Sequence, residues 1–159
     1  MEKRVIAVAG AALVVAGIAG CSSESSPPPP PPGSLPPITA HVTINGQDAG
    51  TTHSVDCNQA EQYFTITTGD RAVRGASTLT ANGVTAVVES TDSGSKMAAK
   101  SVQIRNVGGF TGSYWQGQVG NAEAKLAGTT FTITGTADGF NATDPSDRTT
   151  ATFQIKAGC

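Results

Sequence analysis

The chain has 159 residues, a formal net charge of −2, 38% hydrophobic residues and only 5% aromatic ones. Ten basic residues against twelve acidic ones, with no basic run, exclude an electrostatic grip on nucleic acid or on anionic headgroups. The length suits one folded domain of ordinary size preceded by leader and linker segments.

Residues 1–20 read as an export signal. Lys3 and Arg4 supply a positive n-region, and Val5 to Ile18 supply an apolar stretch broken by Gly10 and Gly17. That stretch is shorter than the ~20 residues a membrane-spanning helix needs. It ends at Ile18-Ala19-Gly20-Cys21, which resembles the lipobox of bacterial lipoproteins. The resemblance implies cleavage after Gly20 and attachment of a diacylglyceryl group, with acyl chains such as palmitate, to the sulfur of Cys21. One acyl chain anchors reversibly and two hold firmly, so an acylated Cys21 replaces a transmembrane helix. The expected location is the extracytoplasmic face of the cell membrane.

Residues 21–37 form a tether. Four serines and Glu24 lead into six consecutive prolines, Pro27 to Pro32. Prolines lock φ near −65° and favour polyproline II, which rises ~3.1 Å per residue. Fully extended, Ser22 to Pro37 would reach ~50 Å and hold a domain clear of the headgroups.

The chain has three cysteines. With Cys21 lipidated, Cys57 and Cys159 remain as an even pair and are expected to form a disulfide outside the cytoplasm. Two thiols and two scattered histidines do not make a zinc site, and no metal is expected. The bridge would close a loop of roughly 100 residues, for which chain entropy gives ~4.7 kcal/mol of stabilisation. It would also fasten a chain end that otherwise frays.

Residues 38–159 alternate apolar and polar side chains in short runs. Val42-Thr43-Ile44 leads into Asn45-Gly46, a strong hairpin signal. Phe64 to Thr67, Val84 to Val88, the Val102/Ile104/Val107 set, Phe131 to Ala137 and Ala151 to Ala157 follow, with turns expected at Asn82-Gly83 and Ala127-Gly128. Ser77 to Thr80 and Ala122 to Leu126 supply two further strands. The pattern predicts an all-β domain, an antiparallel sandwich or open barrel of roughly 7–9 strands. One short helix is expected over Ser95 to Lys100. Phe-Thr-Ile-Thr occurs at 64–67 and again at 131–134, which shared strand propensity explains better than duplication.

Catalytic signatures are lacking. No nucleophile elbow, phosphate-binding loop, zinc-protease motif or dinucleotide fingerprint occurs, so no cofactor is implied. His41 and His53 read as solvated side chains beside strands. Asp138 to Asp147 is rich in oxygen ligands, but it lacks the spacing of a calcium loop and reads as an ordinary loop. Tyr114-Trp115 places one aromatic outward if the segment is a strand. The tryptophan is expected to cap the core and the tyrosine to lie on the surface. An outward aromatic beside glycine-rich turns would suit a glycan or a partner.

Taken together, the lipobox, the low-complexity tether, Asn45-Gly46, Cys57, Lys100-Ser101-Val102, Gly120-Asn121-Ala122, the run Thr130 to Ala137 and the terminal Cys159 resemble the mycobacterial 19-kilodalton lipoprotein antigen family. The resemblance covers nearly the whole chain. It implies a lipid-anchored envelope antigen of actinobacteria whose acylated N-terminus is sensed by Toll-like receptor 2 of the host, and the lack of catalytic signatures makes a non-enzymatic surface lipoprotein the leading expectation. The family's tether is rich in threonine and O-mannosylated; here prolines stand instead, and the hydroxyls before Thr39 belong to Ser22, Ser23, Ser25, Ser26 and Ser34. A carrier that encloses lipid or glycolipid in an apolar cavity is the alternative function. A cryptic envelope hydrolase is a third, and would require paired carboxylates or a serine–histidine contact in one cleft.

Overall fold

A computed structural model describes residues 32–73, 81–94 and 96–159. Its strands are β1 (Thr39–Ile44), β2 (Gln47–Thr52), β3 (Val55–Ala60), β4 (Tyr63–Gly69), β5 (Gly83–Thr91), β6 (Lys96–Val107), β7 (Phe110–Trp115), β8 (Asn121–Ala127), β9 (Thr130–Asn141) and β10 (Asp144–Gly158). All pair antiparallel in one sheet of order β2-β1-β10-β9-β7-β6-β5-β4-β3, with β8 between β9 and β6. The all-β antiparallel class expected from the alternation is therefore what forms, with ten strands rather than seven to nine. The extra strand arises because β7 and β8 occupy one lane in succession. Both run antiparallel to β9, β7 against Asp138 to Asn141 and β8 against Thr130 to Thr136. Between them Trp115 and Val119 exchange backbone hydrogen bonds of 3.0 Å, which pinches residues 116–118 out of the lane.

Local chemistry sets the sharpest turns. Asn45 and Gly46 have φ of 51° and 75°, the left-handed pair that a two-residue hairpin with the right twist requires. They join Ile44 directly to its partner Gln47. Ala127 likewise pairs with Thr130 across Gly128-Thr129.

The sheet rolls on itself. Phe64 of β4 and Phe131 of β9 stand four lanes apart in the sheet, yet their ring centroids are 5.2 Å apart. The two Phe-Thr-Ile-Thr segments thus touch through their phenylalanine rings across the interior. The edge strands β2 and β3 are consecutive in the chain and do not pair, so the roll stays an open barrel. Val42, Ile66, Val84, Val88, Val102, Ile104, Phe110, Ile133 and Ile155 fill the inside.

Three local expectations are corrected. Residues 96–100 are strand, not helix. Met97, Ala98 and Ala99 pair with Ser90, Glu89 and Val88 of β5, and Ala99 is buried. Backbone pairing with a neighbour overrides the helix preference of a segment too short to nucleate alone. Asn82-Gly83 is not the hinge of a hairpin: Gly83 is the first residue of β5, already paired with Gly69 and Arg105. The strand expected at Ser77 to Thr80 lies outside the described residues. Asp138 to Asp147 is not an open loop, because β9 continues to Asn141 and β10 begins at Asp144.

Candidate functional site

The N-terminal chain reaches the domain at the end where the C-terminus is fastened. The Leu35 amide donates to Thr130 Oγ1 at 2.9 Å, and the Ile38 amide donates to the Gly158 carbonyl at 3.0 Å. The Cys159 amide donates to the Thr129 carbonyl at 2.9 Å. Cys159 is disulfide-bonded to Cys57 on β3, with Cα atoms 6.0 Å apart and a sequence separation of 102. One end of the roll therefore carries both the junction with residues 35–38 and the covalent staple that joins β3 to the end of β10. Gly20 and Cys21 lie outside the described residues.

Next to this junction, β6 and β8 share a single paired position, Met97 with Ala124. The seam opens into a surface groove of about 750 Å³ whose apolar lining includes Met97, Ala98, Ala99, Ala122, Ala124 and Leu126. Leu126 pairs with the buried Phe131, yet it is 39% exposed.

The aromatic pair is placed opposite to the expectation. Tyr114 points inward and is 4% exposed, while Trp115 points outward and is 42% exposed. Tyr114 pairs with Val102, whose side chain is core, and the strand's alternation then forces Trp115 out. The Tyr114 hydroxyl donates to the Ala99 carbonyl at 3.0 Å, which satisfies its polar tip inside the protein. Burial pushes the phenol's pKa up.

The remaining candidates disperse. His41 Nε2 lies 3.2 Å from Asp48 Oδ1. The Asp48 carboxyl is held below its ordinary value by the Gly50 amide first and by His41 second. His53 Nδ1 lies 3.2 Å from the Thr39 hydroxyl, but Thr39 is 6% exposed and sits inside the β1–β10 ladder, where no substrate carbonyl can reach it. In the acidic hairpin, Asp138 accepts from Thr150 Oγ1 at 2.6 Å and Asp144 accepts from Ser146 Oγ at 2.8 Å. Among the described residues no three histidine, cysteine, aspartate or glutamate side chains gather as a metal site.

These features define a small antiparallel β-domain, stapled by a disulfide at the end where residues 35–38 join it. The chain belongs to the Mycobacterium 19 kDa lipoprotein antigen family, whose sequence pattern matches residues 33–159. A protein of Mycobacterium avium subsp. hominissuis is 38% identical over 159 residues, covering all of this chain and 97% of that one. "Lipoprotein LpqH" of Mycobacterium tuberculosis strain H37Rv is 40% identical over 164 residues, covering 97% of this chain and 96% of its own length. "Probable lipoprotein LppE" of the same strain is 35% identical over 162 residues, spanning both chains fully.

Proposed function

We propose that the chain is a lipid-anchored display protein of the mycobacterial envelope, without enzymatic activity of its own. Residues 1–20 direct export and are removed after Gly20. The sulfur of Cys21 carries the acyl chains, residues 21–37 space the domain from the extracytoplasmic face of the membrane, and residues 38–159 are displayed. The acylated N-terminus is the part that Toll-like receptor 2 senses. The observation that carries this reading is the cysteine partition. Of three cysteines, Cys57 and Cys159 bind each other, and Cys21, at the end of the lipobox, stands outside that bond. Names given to the relatives as lipoproteins support it. Expression of Cys21→Ala in a mycobacterium tests it. The variant should move from the membrane fraction to the soluble fraction and stimulate receptor-bearing cells at least about tenfold less. Retention of Cys21→Ala on membranes contradicts the anchor.

One observation favours a second reading as a lipid carrier. Core side chains occupy the inside, which counts against a carrier that encloses its ligand, but the open β6–β8 groove has a volume in the ~300–1,000 Å³ range of small-molecule sites. A fluorescent polyene fatty acid should then bind the Cys21→Ala protein saturably, and Ala122→Trp should weaken that binding by about tenfold. Equal binding by both proteins removes the groove from consideration.

A further inference from the structure

The outer face of β5, β6, β7, β9 and β10 carries an ordered set of side chains that neither the anchor nor the core uses. Cross-strand register places Thr85, Gln103, Ser113, Asp138 and Thr150 in one row, each directly opposite the next. Every member ends in a hydrogen-bonding group. One row away in one direction stands Trp115, opposite Ser101. One row away in the other direction stand Arg105 on β6, Phe140 on β9 and Arg148, which pairs with Phe140.

The relief of this surface follows the same plan. A depression of about 290 Å³ is lined by Gln103, Arg105, Ser113, Asp138 and Arg148, and a second of about 490 Å³ by Thr85, Lys100 and Gln116. Trp115 and Gln103 line both, so the indole forms the ridge between two continuous hollows.

The charge on this face runs against that of the chain, which is −2 overall. Arg71 lies over Gly83, the β5 residue that pairs with Arg105; a Cβ there would stand 3.5 Å from the Arg71 side chain and 2.0 Å from the Thr68 carbonyl oxygen. Arg71 Nε donates to Thr85 Oγ1 at 3.0 Å, while its Nη1 is buried without a hydrogen-bond partner. Burial first, and the nearby Arg105 charge second, push the Arg71 guanidinium below its ordinary pKa. Lys100 is paired with Glu89 at 3.1 Å. Three guanidiniums border a polar row, those of Arg71 and Arg105 each with a partner of its own, and the row's one carboxylate, Asp138, accepts from Thr150.

An aromatic ridge next to a stripe of donors and acceptors fits a ligand with an apolar ring face and a hydroxylated edge. Guanidiniums recognise carboxylate, phosphate or sulfate through paired N–H donors. Trp and Arg are also the residues that most often dominate binding energy at a surface. We propose that this face binds an anionic saccharide, with a sugar ring on the Trp115 indole, hydroxyls on the Gln103–Ser113–Asp138 row and an acidic group between Arg105 and Arg148. The site stands whether or not Cys21 is acylated.

Trp115 is the only tryptophan in the chain, so its emission reports occupancy directly. The experiment titrates the full mature chain, in nonionic detergent, with a heparin-derived hexasaccharide as the acidic probe. The expected result is a saturable change in Trp115 emission. Arg148→Gln, on an exposed position, and Arg105→Gln should each raise Kd by about tenfold, and Lys96→Gln, far from the face, should leave it within about twofold. No saturable change up to about 1 mM, or an unchanged Kd in Arg148→Gln, overturns the inference. Equal affinity for neutral maltohexaose overturns the role of the acidic group. Tighter binding of a thymidine oligonucleotide of equal charge reassigns the face to polyanions of another class and also overturns it.

Discussion

The two faces of the same strands obey different rules. Inside, Val84, Ala86, Ile104, Ile133 and Ile155 are exposed by 2% or less, and what they share is apolar volume. Outside, the alternate residues Thr85, Gln103, Ser113, Asp138 and Gln154 share hydrogen-bonding capacity. Side chains on the inner face can be exchanged for others of similar volume at small cost, because a core asks for shape and hydrophobicity. The outer residues do little for folding and hold the chemistry that a partner can read. The contrast separates what keeps this protein folded from what it presents.

The strongest test of that separation acts on the staple that joins β3 to the end of β10. Reducing the Cys57–Cys159 bond, or replacing both cysteines with alanine, should lower unfolding free energy by about 4–5 kcal/mol in urea, as expected for a loop of about 100 residues. A change below about 1 kcal/mol would mean that the inner face alone holds the barrel. Next in size, Ile155→Ala should destabilise by about 3 kcal/mol through lost burial and a residual cavity. Its outer neighbour Gln154→Ala should stay within about 0.5 kcal/mol. Equal effects would erase the distinction between the faces. Smaller again, Tyr114→Phe should cost about 1 kcal/mol by leaving the Ala99 carbonyl without its donor, seen as a lower urea midpoint. The smallest effect belongs to the surface pair Glu89–Lys100. The Lys100 hydrogen bond, ahead of those from Tyr63 and Gln62, holds the Glu89 carboxyl below its ordinary value of 4.5. Its contribution is full above that value and is lost as pH falls through the lower folded-state pKa. The urea midpoints of wild type and Glu89→Gln should therefore converge as pH falls below 4.5 and through the lower folded-state pKa. A gap that stays constant over that range contradicts the pairing.

The inner face was largely legible in the sequence and the outer one was not. Val42-Thr43-Ile44 with Asn45-Gly46, and Phe131 to Ala137, announce strands because alternation and turn chemistry act within a few residues. β3, with the sequence Val-Asp-Cys-Asn-Gln-Ala, lies on an edge with five of its six residues exposed, so it has no apolar period to detect. Residues 96–100 carry helix-favouring Lys, Met and Ala, and only pairing with β5 makes them a strand. Whether Tyr114 or Trp115 faces the core depends on which residue of β6 lies opposite, and local sequence does not carry that register. The same limit hides the row from Thr85 to Thr150. Its members come from five strands, and only the sheet order brings them together. Candidates chosen for residue type alone, such as His53 and Asp144, end in ordinary local hydrogen bonds for the same reason.

Display of this domain, as proposed, depends on an acyl anchor at Cys21. Intact-mass measurement of the protein purified from mycobacterial membranes tests that most directly. The predicted result is a chain beginning at Cys21, heavier than its polypeptide by a diacylglyceryl group or more, with Cys57 and Cys159 oxidised. A chain that keeps residues 1–20, or one cut elsewhere with no added hydrocarbon, would contradict it.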